Sequence, residues 1–231
     1  MKRYILIFLM VFLPFVVEAR KSASRVPIWV SAMTKGSVKV NAERDYSLVI
    51  SYNSPGFIGY IGYDYRKMEV CITSVRRINN LLYGVDGYTR VKGNTCSFRG
   101  SLKIIETRVF KNPGYGVDNE MKGKFDKRGC CVALFELNEE RRVRDSGVFR
   151  GYSLFFWYTG TGGRLHVDDI DSYADGYCNN LFSGTWTSFR THRTKPCGWG
   201  LYRIPNCGDL DIGAAEFSVN PKYRIMAGNR D

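Results

Sequence analysis

Short runs in which β-branched or aromatic side chains alternate with polar ones recur along this chain: VPIWVSAM, SVKVN, YSLVISY, GFIGYIGY, MEVCITSV, SLKIIETRVF, CCVALFEL, VFRGYSLFFWY and LYRI. A period of two places one set of side chains on each face of a pleated strand, so these runs demand a sheet. They are separated by Gly, Asn, Asp and Pro, the residues that turns need. With 24 glycines, 15 tyrosines and 14 phenylalanines, the chain has the texture of many strands joined by tight connections. Helical periodicity is confined to IETRVFKN, ELNEERRVRD and RRINNLLYG. The expected fold class is therefore mainly β (α+β), a β-rich domain with few helices.

The first nineteen residues carry Lys2 and Arg3, then the apolar run YILIFLMVFLPFVV, then Val17-Glu18-Ala19. That order is expected of a secretory signal peptide, and the run is short of the roughly 20 residues that a membrane span needs. No later segment reaches that length, so residues 20–231 are expected to be one secreted domain, extracellular or periplasmic, with no stable membrane span. A long polar stretch, FKNPGYGVDNEMKGKFDKRG, could separate subdomains 27–109 and 130–231.

Seven cysteines, all beyond residue 20, point the same way, since exported chains use cysteine for disulfide bonds. Up to three disulfides are expected, with one thiol left free or bonded to a partner subunit. Cys130 and Cys131 are adjacent, so each should bridge to a different distant cysteine. Zinc is disfavoured, because no CxxC pair occurs and the histidines are only His166 and His192; no metal is expected.

The formal charge is +12, and it falls to +11 once Lys2, Arg3 and Glu18 are removed with the leader. Basic clusters stand at Arg76-Arg77, Lys124 to Arg128, Arg141-Arg142-Arg144 and Arg190 to Lys195. A field of this sign attracts anionic glycans, nucleic acids or acidic proteins. The aspartates around HVDDID, Asp168, Asp169 and Asp171, lack the spacing of a calcium loop and are expected to form a polar turn.

Three pieces follow one another over residues 148–226: VFRG with Arg150, SGTWTSF with Thr187 and Ser188, and AAEFSVNPKYRIM with Glu216. Their order resembles the arginine, serine and glutamate pattern of one class of ADP-ribosyltransferases, which includes secreted toxins and ecto-enzymes. RGYSLFFWYTGTGGRLHVDDID is also similar to part of the enzymatic subunit of heat-labile enterotoxins. The resemblance implies NAD as cofactor, with Arg150, Thr187 and Ser188 binding it. It also implies Glu216 as the catalytic group, stabilising positive charge on the ribose as nicotinamide leaves. Ala214 stands where that family carries a second acid or glutamine. Two functions of different class are thus expected: a toxin or effector of the ADP-ribosyltransferase type, active or decayed, or a non-enzymatic adhesin or binding module for an anionic glycan or a host protein.

Overall fold

The computed structural model describes residues 26–224, so the leader expected over 1–19 lies outside the described residues. In chain order the elements are α1 (Ile28–Met33), β1 (Ser37–Val40), α2 (Ser47–Ser51), β2 (Phe57–Ile61), β3 (Arg66–Lys67), β4 (Glu69–Arg77), β5 (Leu82–Val91), β6 (Asn94–Phe110), β7 (Phe125–Glu139), β8 (Gly147–Gly160), β9 (Leu165–Val167), β10 (Asn179–Ser188), β11 (Thr194–Leu201) and α3 (Pro221–Arg224). Among the described residues the fold is mostly β with three short α-helices. All the strands belong to one antiparallel sheet, and β6 pairs with β7, so stretches 27–109 and 130–231 share it.

The sheet curls until its edges meet. Its order is β3-β2-β11-β10-β8-β7-β6-β5-β4, and only Met68 separates β3 from β4. Residues 66–77 are thus one run that begins beside β2 and continues beside β5, with Met68 N–H donating to the Gly59 carbonyl at the junction. Counted that way, the nine strands of the path are eight staves of a barrel-like curl. Register shifts at Ile72/Ser74, Ile104/Glu106 and Phe125/Lys127 supply local bending. Gly184 supplies closeness: a Cβ there would lie 2.0 Å from the Arg150 carbonyl.

Eight staves leave an interior just wide enough for side chains or one small ligand. The alternation seen in the sequence fills it. Cys131, Ala133, Phe135 and Leu137 of β7 point inward with Phe149 and Phe155 of β8, and Phe182, Trp199 and Leu201 complete the layer. Trp199 is its centre, stacked on Phe182 at 4.8 Å and edge-on to Phe135 at 5.2 Å and Phe149 at 5.8 Å.

Two runs expected to be strands are helices, and the reason is legible in their spacing. In VPIWVSAM the residues that pack outside β7, β8 and β10 are Val26, Trp29, Val30 and Met33, a helical i, i+3, i+4, i+7 series. In YSLVISY, Tyr46, Val49 and Ile50 follow the same rule and close one end of the barrel. Asn180 Nδ2 holds that plug by donating to the Val49 and Tyr52 carbonyls at 2.8 and 2.7 Å. Conversely, the three expected helices fall in β4 to β7 and the turns at their ends.

The disulfide expectation is corrected: all seven cysteines are free thiols. The pleat explains the adjacent pair, since Cys131 faces the interior beside Thr107 while Cys130 faces out beneath α1. Burial pushes the thiols up from their ordinary 9.0, Cys96 and Cys178 to about 11 and Cys131 to about 12, which suppresses the reactive thiolate. A thiol-specific reagent at pH 8 should therefore modify the six cysteines other than half-exposed Cys71 slowly in the native protein, and all seven after denaturation without reductant. Fewer than seven on denaturation would mean that a disulfide exists.

Candidate functional site

The end of the barrel opposite α2 is formed by hairpin turns, which bring distant parts of the chain together. The β5–β6 turn contributes Lys92 and Asn94, the β7–β8 connection Asp145, and the β10–β11 turn Arg190, Thr191 and Arg193. Arg66 begins β3 and Lys195 lies at the start of β11. Together they rim a mouth of about 470 Å³, within the usual range of small-molecule pockets, about 300–1,000 Å³. Ile61, Val91, Phe149 and Trp186 form its apolar wall.

Five cations, Arg66, Lys92, Arg190, Arg193 and Lys195, thus converge from three segments. Arg66 is paired with Asp64 at 2.5 Å, and Arg190 with Asp145 at 3.3 Å. Among the described residues Lys92, Arg193 and Lys195 form no ion pair, although the Lys195 ammonium lies 5.7 Å from the Trp186 ring centre. The rim is held in shape by polar contacts between and within the turns. Asn94 Nδ2 donates to the Arg144 carbonyl at 2.8 Å, Phe189 N–H to the Ser146 carbonyl at 3.1 Å, and Thr191 N–H to Ser188 Oγ at 3.2 Å. Arg141 lies over the Phe189 ring at 4.2 Å and adds a further cation nearby. Two of the four basic clusters seen in the sequence meet here.

Glu139 stands on the floor of this mouth, 5 % exposed. It ends the inward series of β7, two residues past Leu137. Thr89 Oγ1 donates to its Oε1 at 2.5 Å, and Gly147 N–H and Trp186 Nε1 both donate to Oε2 at 2.8 Å. Burial raises the carboxyl above its ordinary 4.5, and these three donors work against that rise. Gly147 is required by the arrangement, because a Cβ there would lie 2.7 Å from Trp186 Nε1.

The residues implied by the transferase resemblance do not share a cleft. Arg150 lies on the outer face of β8, where it pairs with Glu136 at 2.8 Å. Thr187 also faces out, its Oγ1 2.9 Å from that of Thr194. Ser188 is one residue further and faces inward, buried at the mouth. Glu216 is exposed in the segment after β11, which Arg203 anchors through Asp211 and the Gly213, Ala214 and Ala215 carbonyls. That segment follows Leu201, the partner of Asn179, at the end of β10 remote from Ser188 and about 30 Å of strand away. Ser188 alone of the four touches the mouth.

No family model, curated protein or solved structure matches the chain. The geometry is the guide to function.

Glu139 escapes a sequence reading because ELNEERRVRD has the composition of an exposed helix. The signal that would find it is the alternation Cys131, Ala133, Phe135, Leu137, Glu139, which carries a carboxylate onto the buried face of a strand. The aspartates of HVDDID form a second cluster, remote from the mouth. Asp168 and Asp171 grip Arg128, each at 2.6 Å, beside a cleft of about 430 Å³ lined by Phe110, Phe156 and Tyr177.

Proposed function

We propose that this chain is a secreted binding module that takes an anionic glycan at the basic mouth of its barrel. The observation that carries this reading is the convergence of five cations from three separate segments around one concavity. A barrel mouth is a common place for a ligand, and converging cations raise the local concentration of an anion. A glycan is favoured over a flat protein surface because the site is concave and small, whereas a stable protein interface needs about 800 Å² from each partner. Hydroxyl and amide groups of Thr89, Asn94, Ser188 and Thr191 between the cations suit a ligand that carries hydroxyls as well as charge.

Binding to a heparin-like polymer is expected to weaken steeply as salt rises from 50 to 500 mM, since rim charges are exposed and screened. Replacing Lys92, Arg193 and Lys195 together by alanine should lower affinity at low salt by about 10- to 100-fold and flatten the salt dependence. Salt-independent binding, or an unaffected triple variant, defeats the reading. Affinity for an acidic protein with none for the polymer would give the mouth to a protein partner instead.

A further inference from the structure

We infer that Glu139 is the specificity-determining residue of this mouth, accepting a hydrogen bond from a hydroxyl of the bound sugar and so selecting acidic glycans over anions that carry no hydroxyl. The inference rests on the reading of the mouth as a glycan site.

A carboxylate at the floor of a cationic mouth is a poor device for attracting anions, because it opposes the rim. It is a good device for recognising a donor. Each of its oxygens has two lone pairs. Those of Oε2 are taken by Gly147 N–H and Trp186 Nε1, but Oε1 accepts only from Thr89 Oγ1 among the described residues. One acceptor position is left over on a group that lines the cavity. The donors are also fixed in place: two come from the strand ends of β8 and β10, and Gly147 lets the indole approach. A ligand whose charge is held at the rim and whose hydroxyl reaches the floor uses both features at once. An anion without a donor leaves the last acceptor position unfilled and faces only repulsion there.

Two small dianions separate these cases: a sulfated uronate disaccharide, which has hydroxyls, and propane-1,3-disulfonate, which has none. The wild-type protein should bind the disaccharide at least tenfold more tightly. In Glu139→Gln the amide oxygen can still serve Gly147 and Trp186, and the amide nitrogen can donate to Thr89 Oγ1. The floor then loses its charge and its spare acceptor. The disaccharide should weaken by about tenfold while the disulfonate is unchanged or tighter, a change of selectivity that a general loss of fold would not produce.

A second readout needs no variant. The indole Nε1–H resonance of Trp186 in the wild-type protein should shift with the disaccharide and hold with the disulfonate. Equal affinities for the two ligands, unchanged selectivity in Glu139→Gln, or equal indole shifts would overturn this inference while leaving the mouth an anion site. Failure of the wild-type protein to bind either ligand would overturn the glycan reading itself and this inference with it.

Discussion

Trp199→Ala should lower the unfolding free energy by about 3–5 kcal/mol, the usual cost of deleting a large aromatic from a packed interior. Trp199 is 1 % exposed and is the ring that Phe135, Phe149 and Phe182 all touch, so its removal opens a void which three staves would have to collapse to fill. The closed curl resists such collapse, because moving one stave strains its pairing with both neighbours. Trp199→Phe is the informative control. Nε1 of Trp199 has no hydrogen-bond partner among the described residues, so phenylalanine forfeits volume but no polar contact, and its loss should be much smaller. Urea denaturation measures both: the midpoint should drop for alanine with the slope unchanged. A loss below about 1 kcal/mol for alanine would mean that this layer is not packed as described.

The second large effect belongs to Arg128. Its guanidinium is largely buried and bonds Asp168, itself 2 % exposed, and Asp171. Burial works to lower the arginine's pKa, but the bonds and charges of the two aspartates win and hold it above the ordinary value. Arg128→Met keeps the apolar stem and strands a buried carboxylate, which typically costs about 3–5 kcal/mol. The pH dependence identifies the cause. Without its partner, Asp168 is left to the burial that raises its pKa above the unfolded value, so the folded variant binds the proton more tightly than the unfolded chain. Its stability deficit should therefore shrink as pH falls through that raised value and be fully present at neutral pH. Arg128→Met combined with Asp168→Leu should recover most of the loss. A deficit independent of pH would point to lost packing in place of lost charge compensation.

Much of the barrel is legible in the sequence because strand alternation is a local property. SVKVN, GFIGYIGY, MEVCITSV, SLKIIETRVF, CCVALFEL and VFRGYSLFFWY each hold a strand. What defeats a local reading is competition between periods. VPIWVSAM and YSLVISY satisfy a period of two and also the helical i, i+3, i+4 spacing, and only the surface they pack on decides between them. TKPCGWGL contains proline and two glycines and carries no strand signature, yet it is β11, placed by its neighbours β2 and β10. The site is less legible than the fold. Arg141 to Arg144 and Arg190 to Lys195 are visible as charges, but their meeting across the β7–β8 and β10–β11 connections depends on the sheet order. The pattern through Arg150, Ser188 and Glu216 is a sequence order that the topology separates, because successive residues of one strand face opposite sides and the last segment turns back outside the sheet. Seven cysteines suggest bridges, whereas the pleat buries most of them singly.

The rim of the mouth is built from turns whose flanking strands are already registered by their neighbours. Residues 190 and 193 can therefore be exchanged without disturbing Trp199 or the closure at Met68, whereas Lys92 is held at a φ of 48° in a two-residue turn and Glu139, Gly147 and Trp186 belong to the barrel wall and tolerate little change. On the proposed glycan reading, charge preference and donor recognition would sit on parts of the chain with different freedom to vary. If the mouth takes an anion as proposed, libraries randomised at residues 190 and 193 should yield proteins of unaltered fold with new anion preferences, and the barrel would serve as a scaffold for evolving anion-reading reagents.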